Sequence, residues 1–449
     1  MSKKQSDSAK RHQKIKMWGH PHIFLLSYSC MLSNSKNTKN KNSQPSFLSR
    51  LKDNYEHFPE AANGLALGLC GLSSLIDASI STFVAGWINW VSIPLISIAI
   101  ILVLCTVIRD LLYWEKFKKE LRDPLSCSFF STFGMTLVSI SGFIAYWNKA
   151  YPVSAGQIIG AILLIIGLII QLVVLYVFIR YILIKYKFNA DAVYGSWFLP
   201  SVGIAIVALN SPNFNNHVLP NIFFQFFWYI AFVTYVLLFI QVTYVLLFNK
   251  KPKKETLPSL IVYFAPGALV TASFFTTFAL PYTKAINPDL STYDHFVFFA
   301  GTWYISGYSP GFIICTAVIL ISLSLVFSML MWLVFIVKVI RLPFSYMFAS
   351  LTFPTAINAL TNILMEKYMV LWMVHTNAHT IFLETIVELF LVLGYMFAII
   401  STALVGLIIL LFLTNLSVES YFRIYKHQDV SKVLNGVEDE IKEMASVDN

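Results

Sequence analysis

Residues 158–179 read IIGAILLIIGLIIQLVVLYVFI and contain no charged side chain. A membrane-crossing helix needs about 20 consecutive apolar residues, so this stretch is long enough to span a bilayer. Lys149 precedes the stretch and Arg180 follows it directly, as expected where a helix leaves the hydrocarbon core. Similar stretches on both sides of it indicate that it is one of several crossings.

The composition of the whole chain agrees with many crossings. Of its 449 residues, 57% are hydrophobic and 12% are charged, whereas soluble proteins are about 25% charged. This composition excludes an ordinary soluble enzyme, a disordered protein and a nucleic-acid-binding protein. The five cysteines are scattered and form no metal or disulfide pattern. Motifs of soluble and cofactor-binding enzymes are not found, so we expect no metal and no cofactor.

Ten apolar segments are long enough to cross a membrane, and we number them 1 to 10. They predict an all-α integral membrane fold. Their ranges are 61–82, 88–114, 124–147, 155–184, 192–210, 220–248, 258–280, 309–339, 344–365 and 380–413.

The basic residues between the segments test this count. Connections after even-numbered segments carry fourteen lysines and arginines, whereas connections after odd-numbered segments carry three, Lys149, Lys284 and Lys367. Because cytoplasmic loops are enriched in Lys and Arg, this alternation predicts that both termini are cytoplasmic. We expect the protein to lie in the plasma membrane.

The two ends of the chain differ from its middle. Residues 1–52 hold eleven basic residues and one acid, so we expect 1–57 to be a basic, disordered cytoplasmic tail near anionic lipid. Residues 58–415 are the predicted ten-helix transport domain. Residues 416–449 are the predicted C-terminal cytoplasmic tail.

Helix breakers lie inside the odd-numbered segments, whereas the even-numbered segments are long runs of Ile, Leu, Val and Phe. A proline frees a carbonyl group and bends the helix, and in lipid that group must be satisfied by a neighbour or face water. We therefore predict an inner ring of five bent helices around a pore, with five straight helices facing lipid. The predicted pore-lining and bend residues are Gly64, Gly68, Gly134, Pro200, Gly203, Pro266, Gly267 and Pro354.

Each odd-numbered segment has a short motif at its start or inside it. These motifs are Phe58-Pro59 with Gly64, Gly68 and Ser73; Asp123-Pro124 with Phe129 and Phe130; Leu199-Pro200-Ser201-Val202-Gly203; Ala265-Pro266; and Phe344-Ser345 with Thr352-Phe353-Pro354. In this order, over about residues 58–415, the chain resembles the tellurite-resistance/dicarboxylate transporter family, which includes plant slow-type anion channels and fungal malate permeases. It departs from the family at 348–350, where the plant channels tend to have Trp-Trp-Ala.

The resemblance implies five hairpins in a quasi-fivefold ring, often a homotrimer with one pore per subunit, and small anions as substrates, either monovalent or C4-dicarboxylates such as malate. It also implies a gating phenylalanine in segment 9, which we assign to Phe353, with Thr352 beside it in the pore. Phe353 follows Pro343 by ten residues, or about 15 Å of helix, which puts it near the midplane. Phe344, nearer the membrane edge, is the weaker gate candidate.

Other functions stay open, namely a proton-coupled dicarboxylate or tellurite-resistance carrier and, less in line with the sequence, a membrane enzyme or a receptor. A coupled carrier more often keeps an acid or histidine inside the membrane, whereas Asp77, Glu384 and Glu388 lie near the predicted outer surface. Glu384 and Glu388 with His379 could form a metal or proton site, although a helix dipole explains acids in a first turn more simply. No Lys or Arg lies in the middle of a segment, so helix dipoles and hydroxyl groups would attract the anion.

The predicted topology can be tested with cysteines introduced at Asn148 and at Lys253, in a chain whose native cysteines are replaced. The two sites should react with a membrane-impermeant thiol reagent from opposite sides of the membrane, because one follows an odd-numbered and the other an even-numbered segment. Reaction of both from the same side would contradict the ten-crossing topology.

Overall fold

A computed structural model of the chain describes residues 52, 54–80, 88–147, 154–186, 193–214, 218–248, 257–279, 310–342, 344–376 and 380–421. These residues belong to two units. The large unit comprises Tyr55–Ile340 and Tyr346–Phe412, and the small unit comprises Met1–Asn54, Arg341–Ser345 and Leu413–Asn449. The predicted basic tail up to residue 51, His379 and the end of the C-terminal tail lie outside the described residues.

Regular structure in the described part of the chain is helical throughout. The uninterrupted α-helices of seven residues or more are Ala62–Ile80, Ile88–Leu112, Trp114–Glu120, Ser126–Trp147, Ala155–Val177, Asn221–Phe248, Ala265–Phe274, Pro310–Val334, Thr352–Thr376 and Ile381–Tyr421. Eight helices in this part are long and apolar enough to cross a membrane. The prediction of an all-helical membrane protein is therefore confirmed.

Segments 1 and 5 are not among the eight. Segment 1 is the helix Ala62–Ile80, which has 19 residues and is rich in Gly, Ala and Ser. Segment 5 is divided into four short pieces, which are the 3₁₀ turn Gly195–Trp197, the α-helices Phe198–Val202 and Ala205–Leu209, and the 3₁₀ turn Ser211–Asn213.

Two predicted boundaries were wrong. Segment 9 continues as an α-helix to Thr376, because no proline or glycine follows Pro354 within it, and Lys367 is therefore a helix residue rather than a loop residue. Segment 10 continues to Tyr421, so the first residues of the predicted C-terminal tail are helical. Arg109, which was counted with a loop, lies in the last turn of Ile88–Leu112.

The odd-numbered and even-numbered segments differ strongly in burial. In the most apolar stretch of segments 3, 7 and 9, 72%, 83% and 89% of the residues are buried, whereas in the even-numbered segments the share is 33–39%. The exposed side chains of the even-numbered segments are mostly Ile, Leu, Val and Phe. Within a membrane such side chains contact lipid at no cost, whereas in water they would be a liability.

The carbonyl groups beside the break in segment 5 accept hydrogen bonds from side chains of two neighbouring segments, and the Leu199 carbonyl also accepts from the Gly203 N–H (3.2 Å). Ser131 Oγ donates to the Leu199 carbonyl (2.8 Å), and Gln171 Nε2 donates to the carbonyls of Leu199 (3.0 Å) and Pro200 (3.1 Å). Gln171 is 1% exposed although it lies in one of the most apolar stretches of the chain. Its amide is therefore the internal partner that an interrupted helix needs in lipid.

Segments 7 and 9 change from a 3₁₀ helix to an α-helix beside a proline. In segment 7 the 3₁₀ turn Ile261–Phe264 gives way to Ala265–Phe274, and in segment 9 Tyr346–Leu351 gives way to Thr352–Thr376. Pro266 and Pro354 therefore lie in the first turn of an α-helix, where the missing N–H costs little.

Glycines allow two pairs of segments to approach closely. A Cβ atom at Gly134 would lie 2.9 Å from the Gly167 carbonyl oxygen, and one at Gly167 would lie 2.9 Å from the Gly134 oxygen, so segments 3 and 4 touch through their backbones. A Cβ atom at Gly68 would lie 1.9 Å from Thr352 Oγ1. The Thr352 hydroxyl itself is held by the carbonyls of Ala349 (2.7 Å) and Gly64 (3.3 Å).

Gly68→Ala should therefore destabilise the protein by about 1–3 kcal/mol, the usual cost of overpacking, because the new methyl group overlaps a side chain fixed by hydrogen bonds. The matched control is Gly406→Ala, where nothing lies within 4 Å of the added Cβ atom and helix propensity favours alanine. Thermal unfolding in detergent measures both. Equal melting temperatures for the two variants would contradict the close contact of segments 1 and 9.

A network around Arg109 connects the start of segment 1 to the helix Trp114–Glu120. Arg109 is 2% exposed; it donates from Nη1 to the Phe58 carbonyl (3.0 Å), from Nε to Asp110 (3.0 Å) and from Nη2 to Glu120. The Glu60 carboxylate lies 3.9 Å from Nη2. Three carboxyl groups thus share one guanidinium group.

Burial, followed by repulsion from Glu120, raises the pKa of Glu60 from 4.5 to about 8. Between these two pH values Glu60 keeps its proton in the folded protein and loses it in the unfolded chain. The stabilisation that the protonated carboxyl group provides is therefore complete below pH 4.5 and is lost as the pH rises to about 8. Glu60→Gln keeps the neutral shape and does not titrate. Its melting temperature should match that of the unmodified protein at pH 5 and exceed it by a few degrees at pH 8.5.

The matched control for Glu60 is Glu115→Gln. Glu115 is exposed, and its hydrogen bond to Lys118 lowers its pKa, so removing its charge should give no gain at pH 8.5. A pH-independent difference between Glu60→Gln and the unmodified protein would contradict the raised pKa.

Candidate functional site

Two cavities lie between the odd-numbered segments of the large unit. The large cavity has a volume of about 110 Å³, and its lining residues are Gly71, Ser74, Asp77, Ala78, Ser139, Tyr146, Ile206, Leu209, Asn210, Pro212, Asn213, Thr276, Phe353, Ile357, Leu360 and Leu364. The small cavity measures about 10 Å³ and is lined by Gly64, Leu67, Phe129, Thr132, Leu199, Val262, Ala349, Ser350, Phe353 and Pro354. Each of segments 1, 3, 5, 7 and 9 contributes to both.

The order of the lining residues gives the direction of the segments. Apart from Phe353, which lines both, the residues at the small cavity precede those at the large cavity in each of the five segments, as Leu199 precedes Ile206 in segment 5 and Val262 precedes Thr276 in segment 7. The five segments therefore pass the two cavities in the same direction. The cavities follow one another along a common axis.

Phe353 is the residue that the described linings of the two cavities share. Its side chain is 5% exposed. Its ring rests against segment 1, since a Cβ atom at Gly71 would lie 3.2 Å from Phe353 Cδ2. The preceding residue, Thr352, donates a hydrogen bond to the Gly64 carbonyl of segment 1, so the start of this helix and the ring of Phe353 are both positioned by segment 1.

The large cavity carries polar groups at its far end from Phe353. Asn210 Nδ2 donates to the Ile206 carbonyl (2.8 Å), and Asn213 Nδ2 donates to Asn210 Oδ1 (3.1 Å). Ser139 and Thr276 add hydroxyl groups, and none of the described lining residues is Lys or Arg. Such a surface offers weak hydrogen bonds to a small ion and no fixed positive charge.

The structure separates the predicted pore-lining residues into three groups. Gly64, Pro354 and Phe353 line a cavity. Pro200 and Pro266 lie at the breaks of segments 5 and 7. The remaining residues, which contact neighbouring helices instead of a cavity, are Gly68, Gly134, Gly203, Gly267 and Thr352.

Close packing explains why four of the five residues in the third group are glycines, which have no side chain. A Cβ atom at Gly203 would lie 2.6 Å from Met135 Sδ, and one at Gly267 would lie 3.1 Å from the Tyr235 hydroxyl. The second gate candidate, Phe344, belongs to the small unit and is half-buried.

Gly71 and Asp77 are cavity residues that were not predicted to line the pathway. The sequence does indicate this face of segment 1, because the small residues Gly71, Ser74 and Ala78 lie at the three- and four-residue spacing of one helix face. Asp77 was placed near the outer surface, although it lines the large cavity.

The candidate metal or proton site in segment 10 finds little support in the described residues. Glu384 and Glu388 are exposed on the helix Ile381–Tyr421. No group of three His, Cys, Asp or Glu residues that could hold a metal ion occurs in the part of the chain that the structure describes.

Comparison with protein families gives one match that covers most of the chain. Residues 57–417 match the sequence profile of the SLAC1 family, described as voltage-dependent anion channel. A comparison with curated protein sequences yields no match. The family match agrees with the motifs between residues 58 and 415 and with the apolar helices of the structure. The chain therefore belongs to the voltage-dependent anion channel family, within the tellurite-resistance/dicarboxylate transporters, and is a multi-pass membrane protein of anion transport.

Proposed function

We propose that the protein is a channel that conducts small anions along the axis of its two cavities, and that the ring of Phe353 closes the path between them. The observation that carries this proposal is the position of Phe353 as the residue common to both cavity linings. The anions in question are monovalent ions or a C4-dicarboxylate such as malate.

The proposed architecture is ten crossing helices in five hairpins, with segments 1, 3, 5, 7 and 9 around the path. The higher burial of segments 3, 7 and 9 and the contribution of all five odd-numbered segments to both cavities support this arrangement. With both termini cytoplasmic, the small cavity faces the cytoplasm and the large cavity faces outward. A homotrimer in the plasma membrane is inferred from the resemblance to the family.

A phenylalanine can close such a path without any charge. An apolar ring in a narrow passage excludes water, and an ion cannot pass where its hydration shell is lost and not replaced. Phe353 lies next to Gly71, and a change of its rotamer or a small shift of segment 9 would move the ring. Differences of a few kcal/mol between two such states are enough to gate a channel.

Weak binding fits rapid passage better than tight capture. Segment 9 is helical from Tyr346, first as a 3₁₀ helix and from Thr352 as an α-helix, so the positive end of its dipole lies on the small-cavity side of Phe353. The amide and hydroxyl groups of the large cavity can replace part of the hydration shell. Neither the constriction nor the large cavity has a lysine or arginine among its described lining residues that would hold the anion.

A proton-coupled dicarboxylate or tellurite-resistance carrier is the second candidate, and one observation favours it. Asp77 places a carboxyl group in the wall of the large cavity, where a coupled carrier would need one. An enzyme or receptor is less in line with the site, because Asp77 and Tyr146 are the ionisable side chains among the described lining residues and members of the family transport anions.

Phe353→Ala should raise chloride flux several-fold per folded protein, because it removes the ring that separates the two cavities. Phe348→Ala and Phe344→Ala are the matched controls, since neither residue is among the described lining residues of the two cavities, and both should change flux little. Flux is measured in liposomes after the three variants are normalised by size-exclusion chromatography. A silent Phe353→Ala with an active Phe344→Ala would move the gate about nine residues along the segment.

A further inference from the structure

Asp77 is an unusual wall residue for an anion pathway, because it is an acid in the large cavity. Its Oδ1 atom is buried and finds no hydrogen-bond donor among the described residues. A buried carboxylate oxygen without a donor keeps its charge poorly compensated. An anion in the large cavity therefore lies beside a carboxyl group whose charge is not offset by a hydrogen bond at Oδ1.

The charged and titratable groups around Asp77 do not neutralise it fully. Lys367 on segment 9 donates to the Ala78 carbonyl (2.7 Å), and its ammonium group interacts electrostatically with both Asp77 and Glu366. Tyr146 on segment 3 also faces Asp77. Two carboxylates thus share one ammonium group, which leaves one negative charge in this part of the large unit.

Segment 10 adds a further titratable group at this end of segment 1. Tyr395 donates its hydroxyl to the carbonyl of Ser79 (3.1 Å), two residues beyond Asp77. It is neutral and supplies no positive charge. Tyr395 therefore does not change the net charge of Asp77, Glu366 and Lys367.

We infer that Asp77 makes the large cavity a charge filter, which admits singly charged anions and rejects doubly charged ones. This inference deepens the proposed function, on which it rests. Coulomb repulsion from Asp77 scales with the charge of the ion, so a dianion is repelled twice as strongly as a monoanion. A neutral amide donor such as Asn213 Nδ2 offsets a larger share of the smaller repulsion than of the doubled one.

The position of Asp77 strengthens this discrimination. Asp77 lies in the wall of the large cavity, so its charge acts on an ion there at short range and with less screening than in bulk water.

The test is a comparison of chloride and malate flux in liposomes at pH 7.5, where malate carries two charges. Asp77→Asn removes the negative charge and keeps the shape, and it should raise the ratio of malate to chloride flux about tenfold. Asp77→Ser is a second neutral variant in case the first does not fold, as judged by size-exclusion chromatography. Asp77→Glu retains the charge and should keep the ratio low.

The matched control is Glu115→Gln, which removes an exposed acid that does not interact with Lys367 and is not among the described lining residues of the large cavity. The ratio of malate to chloride flux in this variant should remain close to that of the unmodified protein. An unchanged ratio in a folded, chloride-conducting Asp77→Asn or Asp77→Ser, or an equal rise in Glu115→Gln, would overturn the filter while the proposed channel stands. Absence of chloride flux in the unmodified protein would instead overturn the proposed function and the filter with it.

Discussion

Lipid offers no hydrogen bonds to a helix backbone, and every interruption of a helix in this protein has to be satisfied from within. Segment 5 shows the consequence most clearly, since the carbonyl groups beside its break accept hydrogen bonds from Ser131 and Gln171. An unsatisfied carbonyl in an apolar medium costs about 2–7 kcal/mol. The buried side chains of Ser131 and Gln171 are thus explained by the break that they serve.

The same constraint determines where glycine is needed. Interrupted helices can exchange hydrogen bonds only if their backbones come close, and a side chain at Gly68 or Gly134 would prevent this. The contact of segment 1 with Thr352 also positions the adjacent Phe353. A residue that packs two helices together is therefore energetically connected to the candidate gate, although it does not line the path itself.

Electrostatics divides the molecule into two regions. Arg109 is deeply buried and its guanidinium group is occupied by carboxylates and a carbonyl, so it joins chain segments and does not face the cavities. The large cavity has polar but mostly uncharged walls, with Asp77 as the exception. Transport along this axis would then depend on shape, dewetting and weak hydrogen bonds, and selectivity on one negative charge.

By itself, the sequence determined the class of fold, the existence and approximate positions of the helices, and the family, because hydrophobic runs, loop charges and proline motifs are local signals. It also singled out Phe353 through its neighbour Pro354. It could not show that Gly68 and Gly134 face other helices rather than a lumen, nor that Asp77 lines a cavity. Those outcomes depend on the rotation of each helix about its axis. That rotation is decided by which surfaces pack most closely, and only the tertiary structure brings the two surfaces together.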